Sequence, residues 1–181
     1  MPEVIFNGPE GRLEGRYHPS DNPQAPCALI LPPHPKAGGH MDHRITVAMY
    51  EQYKARGFSV LRFNFRGVGR SVGEYDNGQG ELQDAAYAMD YIQSFNQNAP
   101  FTWVSGYSFG AWIGMQLLMR RPEVSGFISM SLPTNTYDFA FLAPCPASGL
   151  ITYGSQDPIV PADEVDNVVE KIRVQKGHKI Y

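Results

Sequence analysis

One stretch of ten residues decides the fold: Phe101-Thr102-Trp103-Val104-Ser105-Gly106-Tyr107-Ser108-Phe109-Gly110. Its first half is mostly apolar, which is typical of a buried strand, and a helical pattern containing Trp112 and Met115 begins within its second half. The second half matches Gly-x-Ser-x-Gly. Small residues around a serine favour a tight strand-turn-helix bend, because the bend leaves no space for larger side chains. A glycine-rich helix start capped by a serine is the alternative.

Strands and helices alternate on both sides of this stretch. Apolar runs predict an N-terminal hairpin and then strands over residues 27–31, 58–65, 101–105, 124–132 and 147–153. Helical spacing predicts helices around residues 45–53, 82–92, 112–119 and 162–174. This order predicts a single α/β domain with a mostly parallel sheet and helices on both faces. In such a sheet the ligand site lies outside the carboxyl ends of the strands.

Three segments in this order, residues 31–41, 64–71 and 106–110, resemble the α/β-hydrolase superfamily, and within it the small bacterial esterases and dienelactone-hydrolase-like proteins. The resemblance runs over the whole chain. It implies an α/β-hydrolase fold, a serine nucleophile acting on a small carboxylic ester or thioester, and no cofactor. Members of this group usually continue for some tens of residues more. We therefore expect residues 1–181 to form one α/β-hydrolase domain whose C-terminal strand and helix are missing.

Ser108 is the predicted nucleophile, lifted above the sheet at the positive end of the following helix. Acyl transfer needs two N–H donors for the oxygen that becomes negative. The backbone N–H of Phe109 is one. The second is expected from the loop after residues 27–31, whose prolines have no N–H, so we predict Lys36, with Ala37 next in line. A merely structural, proline-stiffened turn is the alternative.

Asp157, in a turn after an apolar strand, resembles the acid of the family's catalytic triad, which orients the histidine base. It could instead be a turn residue or a helix cap, and Asp138 is a weaker substitute. The family's base lies after one further strand, beyond Tyr181. His178 follows the acid but is expected near the opposite end of the sheet. Ser108 is thus expected to be competent only if a histidine is supplied from beyond the chain end.

Aromatic residues near the predicted site are candidates for an acyl pocket, although core packing is an equal alternative. They are Tyr107, Tyr137 and Phe139. Arg66, in Arg66-Gly67-Val68-Gly69-Arg70-Ser71, is predicted to be structural and to pair with a helix acid such as Asp84.

Two other functions stay open. A catalytically inactive binding module is one. A metal-dependent hydrolase using His34, His40 and His43 is the other, although the three histidines lack a motif that would complete a metal site. We expect histidines that order the loop, and no metal.

Composition limits the partners. The net charge is −3, with 43% hydrophobic and 18% charged residues, which gives no reason to expect nucleic acid or an anionic membrane as a partner. The first residues lack the pattern of a signal peptide, and Cys27 and Cys145 have no CxxC partner. These features predict two buried thiols in a cytoplasmic protein.

Overall fold

The computed structural model describes residues 3–172 and the backbone of residues 177–180. The strands are β1 (Glu3–Gly8), β2 (Gly11–His18), β3 (Cys27–Leu31), β4 (Ser59–Phe63), β5 (Thr102–Tyr107), β6 (Val124–Met130), β7 (Ser148–Tyr153) and β8 (Gly177–Ile180). The helices are α1 (Arg44–Ala55), α2 (Gln79–Ser94), α3 (Phe109–Arg120) and α4 (Ala162–Glu170). None of these helices is long and apolar enough to cross a bilayer.

The eight strands form one sheet in the order β1-β2-β4-β3-β5-β6-β7-β8. The β1–β2 hairpin is antiparallel, and β2 also runs antiparallel to β4. Every other neighbouring pair is parallel. The predicted mostly parallel sheet is confirmed. Because parallel strands end at the same edge, the loops after β3, β4, β5, β6 and β7 meet there.

Helices cover both faces of the sheet, as predicted, and alternate residues of β5 show why. Val104 points into the larger core cluster, which includes residues of α2, α3 and α4. Trp103 and Tyr107 pack instead with the smaller cluster, which includes Met49 and Tyr50 of α1. A strand with apolar residues on both faces can be buried only between two layers of helices.

The predicted boundaries differ from the structure mainly at the carboxyl ends. β4 ends at Phe63 rather than at residue 65, because Val68 N–H donates to the Phe65 carbonyl and closes a turn. α4 ends at Glu170, four residues before its predicted end, and residues 173–174 of that prediction lie outside the described residues.

β8 is the last strand of the sheet and lies beside β7. Its four residues pair in parallel with β7, from Leu150↔Gly177 to Tyr153↔Ile180. β7 is therefore paired on both sides. His178 lies within this strand opposite Ile151, rather than on a loop after a strand.

Candidate active site

Ser108 sits at a tight bend between β5 and α3. Its backbone has φ 52° and ψ −117°, in a region that residues with a side chain rarely adopt. Such a conformation persists only where the surroundings hold it. Here Ser108 N–H donates to the Met130 carbonyl of β6 at 2.9 Å, and Trp112 N–H donates to the Ser108 carbonyl at 3.2 Å. The bend is fixed from both its strand side and its helix side.

The two glycines of the motif are required by close backbone contacts. A Cβ at Gly106 would overlap the backbone of Gly110 and Ala111. A Cβ at Gly110 would overlap the carbonyl oxygens of Leu31 and Pro32. The same contacts bring the loop after β3 against the start of α3, next to the serine.

The Ser108 hydroxyl does not cap the helix, because it makes no capping hydrogen bond to α3. The alternative of a serine that only caps a helix start is therefore not supported. Phe109 is the first residue of α3, so its N–H has no acceptor within the helix. Its side chain is only 1% exposed, which anchors this amide beside the half-buried serine.

The amides of the loop after β3 are arranged differently from the prediction. Lys36 N–H donates to Nδ1 of His34 at 3.1 Å, and Ala37 N–H donates to the His34 carbonyl at 3.0 Å. Both belong to a short 3-10 turn, Pro35–Ala37. These hydrogen bonds weigh against Lys36 and Ala37 as oxyanion donors. Within residues 3–172, the His34 N–H itself makes no hydrogen bond.

His34 is held by contacts on three sides. Besides the Lys36 amide at Nδ1, its Nε2 lies 3.2 Å from the Tyr75 hydroxyl. Its ring centroid lies 4.7 Å from that of Phe109. Burial lowers the pKa of His34; the charge of Glu81 opposes this shift and that of Lys36 adds to it.

The other two histidines of the cluster cap local backbone in the same manner. Nδ1 of His40 accepts from Asp42 N–H at 3.2 Å, and Nδ1 of His43 accepts from Ile45 N–H at 3.3 Å. The loop-ordering role was the expected one. Within the described part of the chain, no three His, Cys, Asp or Glu side chains are grouped to hold a metal ion.

Asp157 follows the carboxyl end of β7, at the same edge of the sheet as Ser108. Its Oδ1 accepts hydrogen bonds from Ile159 N–H at 2.8 Å and Val160 N–H at 3.1 Å. These two hydrogen bonds make Asp157 a turn residue. Its second carboxylate oxygen, Oδ2, accepts neither of them. Asp138 is exposed and accepts from Ala140 N–H at 2.8 Å.

The three predicted pocket residues are not brought together. Tyr137 and Phe139 line one depression of about 490 Å³, and Val168 of α4 also lines it. Tyr107 lies on the α1 side, where its ring stacks on His43 with centroids 5.2 Å apart.

Arg66 makes the ion pair that the sequence suggested. Its Nη2 lies 2.9 Å from Asp84 Oδ1, and its backbone N–H donates to Asp84 Oδ2, also at 2.9 Å. Both side chains are buried. Arg66 therefore fixes the loop after β4 onto α2 rather than facing a ligand.

Two features of the site were missed. The His34 amide is the first N–H after the Pro32-Pro33 pair, so counting donors from the strand end would have found it. Tyr75 has no signal of this kind, because its bond to His34 joins residues 41 positions apart.

Comparison with known proteins gives a consistent result. A family model described as alpha/beta hydrolase fold matches residues 37–147. An uncharacterized protein of Rickettsia prowazekii is 50% identical over 181 residues, which cover 98% of this chain and 76% of that protein.

Two solved structures are also similar over nearly the whole chain. A protein of unknown function from Agrobacterium tumefaciens has a TM-score of 0.96 at 56% identity, covering 99% of this chain and 84% of its own. An α/β serine hydrolase homologue from Coxiella burnetii has a TM-score of 0.93 at 30% identity, covering 99% of this chain and 86% of its own.

Proposed function

Because the chain belongs to the α/β-hydrolase superfamily, we propose that it is a serine hydrolase of small carboxylic esters or thioesters, with Ser108 as nucleophile. One observation carries the proposal: Ser108 is held in a left-handed bend while its hydroxyl caps nothing. A strained backbone of this kind clusters at functional sites. It presents the oxygen at a helix N-terminus, where negative charge is stabilised.

In the proposed reaction, Ser108 Oγ attacks the substrate carbonyl and gives its proton to a base. The carbonyl oxygen becomes negative and receives hydrogen bonds from the N–H groups of Phe109 and His34. The C–O or C–S bond to the leaving group then breaks, and the base returns the proton to the departing oxygen or sulfur. Water next hydrolyses the acyl-serine by the same steps in reverse order.

The acid of the triad is assigned to Asp157, whose Oδ2 is not used by the amides of Ile159 and Val160. A carboxylate of this kind orients an imidazole and stabilises its charged form. Within residues 3–172, no imidazole is hydrogen-bonded to Ser108. We assign the base, following the family, to a histidine beyond Tyr181.

The acyl group is assigned to the depression beside Tyr137 and Phe139. The ring of Tyr137 lies 6.2 Å from that of Phe109, which joins this depression to the residue after the nucleophile. Its aromatic lining fits an apolar acyl chain.

Hydrolysis of p-nitrophenyl acetate, with and without added imidazole, tests the proposal. Imidazole can replace an absent histidine base, so we expect it to increase a Ser108-dependent rate. Ser108→Ala should reduce hydrolysis to the rate of imidazole in buffer. Ser131→Ala is the matched control, because Ser131 also has φ 52° and follows the neighbouring strand.

Two other outcomes would contradict the proposal. Equal rates for the unaltered chain and Ser108→Ala would favour the inactive binding module. Activity that survives Ser108→Ala but is lost with a chelator would favour a metal-dependent hydrolase.

A further inference from the structure

His34 has both ring nitrogens engaged, and the donors fix where its proton lies. A backbone N–H can only donate, so the bond from Lys36 requires that Nδ1 carries no proton. The neutral ring therefore carries its proton on Nε2. Nε2–H then donates to the Tyr75 oxygen, 3.2 Å away.

His34, Tyr75 and a further aromatic residue, Tyr137, come from separate loops at the carboxyl edge of the sheet. His34 follows β3, Tyr75 precedes α2, and Tyr137 lies between β6 and β7. The loops meet around Phe109, whose ring centroid is 4.7 Å from that of His34 and 6.2 Å from those of Tyr75 and Tyr137. The three rings therefore surround the residue directly after Ser108.

Tyr137 is held by close packing. Its ring stacks on that of Trp112 with centroids 3.8 Å apart and planes 8° apart. Trp112 lies in turn against the backbone of Gly78, where a Cβ would overlap the indole ring. Tyr137 is thus anchored on α3 and on the start of α2.

We propose that His34 and Tyr75 are positioning residues: the bonds of the His34 ring to Lys36 N–H and to the Tyr75 hydroxyl hold the His34 peptide so that its N–H faces the developing oxyanion. This inference rests on the proposed function. A ring bonded at both nitrogens resists rotation of its own backbone. A donor fixed before the reaction needs no reorganisation in the transition state, where an oxyanion donor acts.

Tyr75→Phe is the first test, since it removes the oxygen that accepts from the His34 ring. With imidazole added as the base, we expect kcat for p-nitrophenyl acetate to fall about tenfold with little change in KM, as for a lost transition-state contact. Tyr87→Phe is the matched control, because Tyr87 is exposed on α2. Equal kcat values for the two variants would overturn the inference.

His34→Asn separates the two bonds of the imidazole. The shorter amide can still accept from Lys36 N–H but cannot extend to Tyr75. We expect the same loss of kcat as in Tyr75→Phe, and no further loss when both substitutions are combined, because they break one connection. Additive losses would contradict a shared role. His40→Asn is the control, since His40 caps Asp42 in the same way.

The nitrogen chemical shifts of His34 provide a readout that does not depend on activity. We expect an unprotonated Nδ1 and a protonated Nε2 at neutral pH; a proton on Nδ1 would overturn the inference. Failure of the proposed function is seen separately, as equal hydrolysis by the unaltered chain and Ser108→Ala, and the positioning role then fails with it. If Ser108 is needed but Tyr75→Phe matches Tyr87→Phe, only the positioning role is wrong.

Discussion

At Gly110 the backbone leaves no room for any side chain. The atoms that a Cβ would meet are the carbonyl oxygens of Leu31 and Pro32, which cannot rotate away as a side chain would. Gly114, one turn later in the same helix, differs. A Cβ there would meet Leu31 Cδ1 at 3.1 Å and Val104 Cγ2 at 3.4 Å, both of them side-chain atoms.

We expect Gly110→Ala to lower the free energy of unfolding by about 1–3 kcal/mol, because overpacking outweighs the roughly 1 kcal/mol gain in helix propensity. Gly114→Ala should change it by less than about 1 kcal/mol. Urea unfolding of the two variants measures the difference. If both alanines have the same effect, the close approach of Leu31 and Pro32 does not constrain the bend.

His34 connects pH to the stability of the loop after β3. Burial lowers its pKa in the folded protein, with Glu81 opposing and Lys36 adding to the shift, and the neutral Tyr75 is its other polar neighbour. As the pH falls below about 6.5, the unfolded chain therefore takes up a proton at His34 before the folded protein does. The free energy of unfolding therefore decreases as the pH falls. The full contribution of His34 to it is present above about pH 6.5.

Urea unfolding of the unaltered protein and of His34→Ala between pH 7 and pH 5 checks this sign. The difference in unfolding free energy between them should shrink toward acid. Part of the acid slope should remain in the variant, because burial also lowers the pKa of His43. If the unfolding free energy depends on pH equally in both proteins, folding does not favour the neutral form of His34.

At the scale of elements, a buried ion pair fixes α2 to the loop after β4. Asp84 of this helix is fully buried and accepts from the guanidinium and the backbone N–H of Arg66. Asp90, further along α2, pairs with Arg121 at 2.7 Å, but its side chain is 64% exposed. Substitutions of the two aspartates therefore allow a buried ion pair and a surface ion pair on the same helix to be compared.

We expect Asp84→Ala to destabilise the protein by about 3–5 kcal/mol, because it leaves the buried charge of Arg66 without a partner. Asp90→Ala should cost no more than about 1 kcal/mol. Thermal or urea unfolding distinguishes them. A small effect of Asp84→Ala would show that water reaches Arg66 when the carboxylate is removed.

Element by element, local patterns predicted most of this fold. β3 was predicted with its observed bounds, because prolines lie on both sides of a continuous apolar run. The start of α2 was predicted late, because its first turn is fixed by polar contacts: Glu81 accepts from the N–H groups of Asp76 and Gly78. Apolar periodicity does not detect a turn of that kind.

The candidate site, too, has some features with a local signal in the sequence and others without one. The bend at Ser108 has a local signature, since its geometry depends on Gly106 and Gly110 within the same five residues. The Lys36 N–H is engaged because the His34 side chain accepts its hydrogen bond. The spacing of residues in the sequence does not predict that contact. The contact of His34 with Tyr75 requires the complete sheet to bring two loops together.

On the scale of the whole molecule, each of the two thiols is sealed in the core. Cys27 and Cys145 are both 0% exposed, and Cys27 lies 3.3 Å from the Thr102 hydroxyl. Burial raises the pKa of Cys27, with the Thr102 hydrogen bond opposing, so little reactive thiolate is present there at neutral pH.

We therefore expect no reaction of the native protein with Ellman's reagent over minutes at pH 7.5, and reaction of both thiols in guanidinium. Their rates in mild denaturant should match and follow global unfolding, because each lies in the core. Faster labelling of Cys145 alone would instead reveal local opening of the segment between β6 and β7.

Hydrogen bonding between strands continues past their ends at the edge of the sheet where Ser108 lies. The amide of Ser108 is held by Met130, and the amide of Ser131 is held by Thr152 of β7 at 2.7 Å. These two hydrogen bonds form a short linkage from β7 through the Met130–Ser131 peptide group to the backbone of Ser108. A displacement of β7 would therefore reach the Ser108 backbone through main-chain bonds, which substitutions of side chains in between do not remove.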